Sequence, residues 1–315
     1  MLKRYLSFSD YLKSLFGEKV YKISLDAGFT CPNHDGSLAV GGCFYCDEGS
    51  RAPGVNPQLS IAKQIEDGKR FLCRKYKAKK FLAYFQAYTN TYAPVDILRQ
   101  RYEEAIQADV VGLSISTRPD CVNDENLDLI ADLSQKTHTW LELGLQTIRD
   151  DVLKKINRYH TYEQFLTALE KTQVRKIRTC VHVIFGLPGE TIEDMRRTAQ
   201  AVAHLPIDGV KIHSLHVMRE TPLERMYIHG AVSPLLEEDY VRLVCEFLEL
   251  LPPHIVIHRL TGDAPPAKLL APLWSANKTR VLTQIDQGLE KRNSFQGSKV
   301  GAILVPEKKQ SVTIG

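Results

Sequence analysis

No stretch of this chain approaches about 18 consecutive apolar residues, so no segment reads as a membrane-spanning helix. The opening MLKRYLSFSDYLKSLFG has no apolar run of about seven and carries Asp10 and Lys13, which makes it a poor secretory leader. Cysteine is scarce and odd in number. Seven in 315 residues lack the dense, even spacing of a secreted disulfide scaffold. Self-similarity at roughly 20–50 residues is absent, as are low-complexity tracts, which sets aside solenoids and disordered arrays. Excess charge is also missing. A net +4 is compatible with an anionic partner without demanding one. The expected setting is a reducing cytoplasm, where grouped cysteines serve metals or catalysis more often than crosslinks.

What is present is alternation. Strand-like runs fall at Val20–Leu25, Lys80–Phe85, Val110–Ile115, Thr139–Leu143, Thr179–Ile184 and Gly209–Leu215. Helical patterns lie between them at Ser60–Tyr76, Val95–Gln107, Asp124–Gln135, Thr161–Thr172 and Thr191–His204. Asn123 or Asp124, Thr161 with Gln164, and Thr191 with Asp194 supply helix N-caps. Strands alternating with helices of this length predict an α/β fold with a mostly parallel sheet, a partial (βα)6 TIM-type barrel over residues 1–252. Chemistry then gathers at the C-terminal ends of the strands. After the helical Glu237–Leu251, Pro252 and Pro253 break the pattern. Residues 253–315 read as a C-terminal extension that closes or lids the barrel. It includes a strand-like His254–Leu260 and an amphipathic Ala276–Glu290, and ends in a mobile tail of about 15 residues from near Gly297.

Cys31, Cys43 and Cys46 stand in CPNHDGSLAVGGCFYC as C-x11-C-x2-C, just after the first strand-like run. Three thiolates do not fill the tetrahedral shell of a structural zinc. They can hold a [4Fe–4S] cluster and leave one iron open to a ligand. The alternative is a redox or zinc half-site formed by the pair alone, but no second C-x2-C exists to complete it. Cys73 and Cys245 on helical patterns and Cys180 in a strand read as buried small hydrophobes, while Cys121 follows a strand end.

CPNHDG followed by GGCFYC resembles the radical S-adenosylmethionine enzymes, in particular their YtqA/YhcC-type branch, related to the radical domain of the Elongator catalytic subunit. The resemblance extends over about 250 residues through YFQAYTNTYAP, STRPDC, LELGLQT, INRYHT, HVIFGLPGET and GVKIHSLHVMRETPLE. The gap of 11 between the first two cysteines is what this branch has, and His34 stands where relatives often carry arginine.

The resemblance implies a [4Fe–4S] cluster on Cys31, Cys43 and Cys46, S-adenosylmethionine on its open iron, and a reductant such as flavodoxin or ferredoxin. Tyr45 lies between two of the ligands. Gln86, Tyr88 and Asn90 stand where relatives contact the methionine amine, and Ser116 and Thr117 where the ribose would lie. Glu142 and Gln146 follow on the fourth strand. Gln146 and Arg158 match a glutamine and arginine that bind the cofactor's ribose and carboxylate. His182 and Gly186 fall near the adenine.

Lys211 and His213 share one strand face by the two-residue period, with His216 just beyond. His258, Arg259, Thr261 and Asp263 gather after the last strand-like run, and Arg118 and Asp120 flank Pro119. Converging in a barrel mouth, Lys211, His213, Arg118 and Arg259 suit an anionic substrate. The branch is associated with tRNA, removing the carboxymethyl arm of 5-carboxymethylaminomethyl-uridine at the wobble position to leave 5-aminomethyl-uridine. The basic clusters along the chain would hold phosphates, and Tyr92 or Trp274 would stack on a base. The competing expectations are a radical enzyme acting on a small anionic metabolite or peptide, and a non-enzymatic iron–sulfur protein.

Overall fold

A computed structural model describes residues 3–47 and 51–300. Seven parallel strands form one curled sheet in the order β1 (Val20–Leu25), β2 (Lys80–Phe85), β3 (Val110–Thr117), β4 (His138–Gln146), β5 (Arg178–Phe185), β6 (Gly209–Ser214) and β8 (Val256–Arg259). It is a half-barrel, with every adjacent pair parallel. The strand-like His254–Leu260 run contributes the seventh strand, paired directly to β6. A separate antiparallel pair, β7 (Val217–Met218) with β9 (Leu269–Ala271), lies outside the main sheet.

The helices α2 (Ile61–Tyr76), α3 (Val95–Glu104), α4 (Asp124–Lys136), α6 (Tyr162–Val174) and α7 (Ile192–Ala203) intervene between successive strands. Their starts follow from sequence. Asn123 with Asn126, Thr161 with Gln164 and Thr191 with Asp194 form capping boxes that satisfy otherwise unpaired amide donors. α9 (Glu237–Leu250) and α10 (Lys278–Lys291) pack on each other beside α7. Two short helices on the catalytic side, α5 (Asp150–Lys155) and α8 (Pro222–Ile228), were not legible as periodic patterns.

Alternation along β4 sets the two faces of the sheet. Leu141, Leu143 and Leu145 enter the main core under the helices. Trp140, Glu142, Gly144 and Gln146 fall on the concave face. Trp140 joins Phe8, Leu12, Leu82, Cys180 and Val256 in an apolar floor. That floor is closed by α1 (Phe8–Phe16), a helix additional to those expected from the sequence. Phe8 meets Trp140 edge-on at 5.8 Å and stacks on His258 at 3.9 Å. Ser7 bridges Ile257 on the edge strand, so Ser7 and α1 plug the barrel from below.

Residues 297–300, expected at the start of a mobile tail, are held: the Gly297 amide donates to Leu248 O at 3.0 Å and that of Lys299 to Glu249 O at 2.8 Å. The rest of the expected tail lies outside the described residues. Cys180 and Cys245 are buried, but Cys73 is exposed, because it falls on the outer face of α2.

Candidate active site

A cavity of about 450 Å³ opens at the C-terminal ends of the strands, and Cys31, Cys43 and Cys46 all line it. Cys31 and Cys43 are buried and Cys46 is half-buried, and all three are free thiols. The loop carrying them is held by its own backbone. The His34 and Asp35 amides donate to Cys31 O at 2.7 and 3.1 Å, and that of Gly42 to Asn33 O at 2.8 Å. Gly42 needs to be glycine for its φ of +75°, and an added Cβ would also fall 2.4 Å from His34 Nε2 and push that ring aside.

Arg158 is the centre of this wall. Its Nη1 donates to the Cys43 sulfur at 3.7 Å, its Nη2 to Gly144 O at 3.1 Å and its Nε to His160 Nδ1 at 3.2 Å. Burial alone would disfavour the guanidinium charge, but the neighbouring Tyr45 and Cys43 outweigh that and hold it protonated. Asn33, the third residue of the CPN motif, is a further member of the site and donates to the same sulfur at 3.4 Å. Gly144 leaves the space that Arg158 occupies, since a Cβ there would sit 2.7 Å from Arg158 Nη2 and 2.7 Å from Gln146 Nε2. Gln146 lines the cavity with a left-handed backbone, φ 74°.

These residues suit an iron–sulfur cluster better than a single ion. Among the described residues no three His, Cys, Asp or Glu side chains converge as ligands of one metal ion. A lone zinc requires its sulfurs within about 2.3 Å of a common centre. Three thiols spread around a cavity, one of them already receiving two hydrogen bonds, match a cluster whose thiolates each hold a different iron. His34 Nε2, Tyr45 Oη and Arg118 Nη1, all on lining residues, are buried polar atoms without a partner among the described residues.

The opposite wall is a buried charged layer. Glu142, fully buried, receives Lys211 Nζ in an ion pair, His182 Nε2 at 2.8 Å and Ser116 Oγ at 2.9 Å. Lys211 also donates to Tyr84 Oη at 3.0 Å, and the Tyr84 hydroxyl donates its own proton to Ser116 Oγ at 3.1 Å. Burial would raise the Glu142 carboxyl; the Lys211 ammonium and the His182 contact overcome it and hold it well below the usual range. Lys22 lies beneath this layer, its amine 4.7 Å from the Phe8 ring and 4.8 Å from that of Tyr84. Burial and the Lys211 charge pull it down to about 7. Desolvation and nearby cations lower His182 and His216 to about 4, and His213 well below its ordinary value. The imidazoles of this wall are therefore neutral at pH 7.

Most of the residues singled out in the sequence line this one cavity. Gln86, Tyr88, Ser116, Thr117, Glu142, Gln146, Arg158, His182, His213, His216, Arg118, Arg259 and Asp263 do so along with Tyr45. Several expectations are corrected. Asn90 turns away, its amide donating to Phe85 O, Ala87 O and Ser116 O at 3.0–3.1 Å, so it holds strand ends together. Lys211 is not a lining residue, because Glu142 neutralises it one layer down. Arg118 lies in the wall, but its fork is occupied by Asp120 at 2.6 and 2.8 Å. Gly186 packs against Leu235, not the cavity. His258 is stacked in the floor, and Thr261 is buried. Trp274 donates to Leu235 O at 2.9 Å and packs on Tyr240, while the Tyr92 hydroxyl donates to Ser37 Oγ at 2.8 Å beside a second groove. Many basic clusters are already paired: Arg175 with Asp124 and Asp128, Arg196 with Glu246, and Arg292 with Glu246 and Glu249.

The molecule is thus a parallel half-barrel with three thiols at the C-terminal ends of its strands. The radical SAM superfamily model matches residues 39–202, and that of the radical SAM C-terminal domain matches residues 207–291. The chain belongs to the radical SAM superfamily, the enzymes named for S-adenosylmethionine. It is 44% identical to YtqA of Bacillus subtilis over 94% of this chain and 92% of that protein. It is 27% identical over 169 residues to a tRNA uridine(34) acetyltransferase of Methanocaldococcus jannaschii, covering 53% of this chain and 31% of that one. The structure of Methanocaldococcus infernus Elp3 shares the fold, with a TM-score of 0.66 at 18% identity, covering 88% of this chain and 64% of that one. No helix among the described residues is long and apolar enough to cross a membrane.

Proposed function

We propose that this radical enzyme holds a [4Fe–4S] cluster on Cys31, Cys43 and Cys46, binds S-adenosylmethionine beside it, and converts 5-carboxymethylaminomethyl-uridine at the tRNA wobble position to 5-aminomethyl-uridine. The observation that carries the reading is the meeting of three free thiols, the Arg158 guanidinium and the gap left by Gly144 in a single cavity. When bound, the two cofactors supply reductive cleavage of the sulfonium and a 5′-deoxyadenosyl radical that takes a hydrogen atom from the substrate.

The protein's part is placement and exclusion of water. Arg158 and Gln146 orient the cofactor's carboxylate and ribose, while Gln86, Tyr88 and Thr117 line the remaining strand ends. Glu142, His182 and Lys211 form a rigid, neutralised wall, so that wall itself attracts no anion. This leaves Arg259 to hold the arm's carboxylate, since its closest ionic partner is Asp263 at 3.5 Å, beyond a good hydrogen bond. His213 and His216 beside it are uncharged hydrogen-bonding groups. A wobble base in an unpaired loop reaches such a cavity at little unstacking cost. The uridine assignment draws support from the relative named as a tRNA uridine(34) acetyltransferase. A flavodoxin- or ferredoxin-type protein in the cytoplasm supplies the electron.

Two measurements test the reading. Anaerobically reconstituted protein, reduced with dithionite, should release 5′-deoxyadenosine; an intact cluster that yields none would overturn the radical chemistry. Nucleoside analysis of tRNA from cells lacking the protein should show accumulated 5-carboxymethylaminomethyl-uridine. Normal tRNA would turn the assignment to a small anionic metabolite or peptide.

A further inference from the structure

We propose that a basic rim, built by α5, α8 and the turn between β7 and α8, grips the phosphates of an unpaired RNA loop at the cavity mouth. The inference rests on the tRNA reading above. Val152 and Leu153 of α5 and Ile156 at its C-cap share a satellite core with Val217 of β7, Leu223 of α8 and the ring of Tyr45. Phe44, inside the C-x2-C turn, joins the two helices: its amide donates to Ile156 O at 3.0 Å and its carbonyl accepts from the Leu223 amide at 3.2 Å. Both helices are thus fixed to the cysteine turn.

Four cations stand on their outward sides. Lys154, Lys155, Arg219 and Arg225 are exposed, and none has an ion-pair partner among the described residues. The carboxylates on the same segments are partly engaged, and Glu220, its side chain 80% exposed, lies 3.9 Å from Lys268. Asp151 holds Arg149 at 2.6 Å, Asp150 accepts from the Tyr162 amide at 2.7 Å, Glu224 from the Glu220 amide at 2.7 Å, and Asp47 binds Lys268 at 3.2 Å. Arg219 and Tyr159 adjoin the mouth, since their chain neighbours Met218 and Arg158 line the cavity. Tyr159 and Tyr227 are 43% and 38% exposed among them. Cations interleaved with exposed rings suit a ligand that alternates phosphates with planar bases. An acidic protein face would offer carboxylates but no bases to stack.

The test uses full-length, cluster-loaded protein and bulk tRNA, with affinity read by fluorescence anisotropy at about 50 and 200 mM salt. Lys154→Glu/Lys155→Glu and Arg219→Glu/Arg225→Glu should each lose roughly tenfold in affinity at the lower salt, with the log–log salt slope shallower by about two. Lys75→Glu/Lys77→Glu, at the opposite end of the barrel, should stay within about twofold, because phosphate contacts are local. Unchanged iron content and RNA-independent 5′-deoxyadenosine formation confirm that each variant is folded. Wild-type affinity in both rim variants, or equal loss in the opposite-end control, overturns the rim. So does unchanged tRNA affinity with loss of electron transfer from an acidic flavoprotein. If wild-type protein binds no tRNA at either salt, the wobble-uridine reading itself falls and takes the rim with it.

Discussion

Arg158 donates to the sulfur of Cys43 at 3.7 Å while a second nitrogen of the same fork donates to Gly144 O at 3.1 Å. One side chain therefore ties the cysteine loop to the fourth strand. Replacing it with alanine removes a charged donor without removing a thiol. S-adenosylmethionine affinity should fall by about 1.5–3 kcal/mol, the range for a hydrogen bond to a charged group, with iron retained. Arg158→Lys should not restore it, because an ammonium cannot reproduce the planar fork. Equilibrium dialysis reads the affinity, and an unchanged value in the alanine variant contradicts the role.

Substituting alanine for any one of Cys31, Cys43 or Cys46 should abolish the brown colour and bound iron of the reconstituted protein. The far-ultraviolet circular dichroism should be unchanged, because the loop hangs from strand ends and the core lies elsewhere. Full iron content in all three variants would remove the cluster assignment.

Lys211 and Glu142 are both essentially without solvent contact. Lys211→Met strands a buried carboxylate and should cost about 3–5 kcal/mol in denaturant unfolding. Lys211→Met combined with Glu142→Gln should recover most of that loss, since the charge needing a partner is gone. A double variant no better than the single one would argue against the pair.

Acidification should weaken the fold well above the carboxylate range. His138, His182 and His216 are lowered from 6.5 to about 4, and His258 to about 3, by burial first of all. With depressed folded-state values, these imidazoles take up protons in the unfolded chain first. Their contribution is complete above about 6.5 and drains as pH falls toward about 4. Glu142, itself depressed, adds a loss only below 4.5. His258→Phe, which keeps the stack on Phe8, should flatten the decline between pH 7 and 5. The unfolding midpoint measured at both values checks it, and an unaltered decline would clear His258 of a part.

Arg259→Ala should raise KM for the modified tRNA at least about tenfold, as expected for loss of a charged hydrogen bond. The rate of 5′-deoxyadenosine formation without substrate should hold. A lower rate with KM unchanged would place Arg259 with the cofactor instead.

Much of the fold is legible in the residues. Val20–Leu25 and Lys80–Phe85 appear with the same bounds in sequence and structure, because strands of a helix-covered parallel sheet are compact apolar runs between helical periods. The capping boxes at Thr161 with Gln164 and Thr191 with Asp194 follow from residue type at fixed spacing, and the structure adds a third in which Asn126 answers Asn123. α1 escaped because its reason to exist is the floor it seals, formed by Leu82, Trp140, Cys180 and Val256 from distant strands. α5 and α8 escaped because six or seven residues carry too little periodicity to register.

The sequence by itself determined which chemistry is available: three thiols with no fourth beside them, an arginine fork and a parallel barrel's strand ends. Tertiary structure decided which polar groups face the cavity free. Period two places Lys211 and His213 on one face, yet one step of that period, roughly 7 Å of strand, separates a lysine neutralised by Glu142 from an imidazole in the cavity wall. Arg118 and Arg259 read alike in the chain, until Asp120 closes on one fork and Asp263 stands off from the other. Spacing along a strand fixes a direction; depth and the charge waiting there depend on neighbours that only folding brings close.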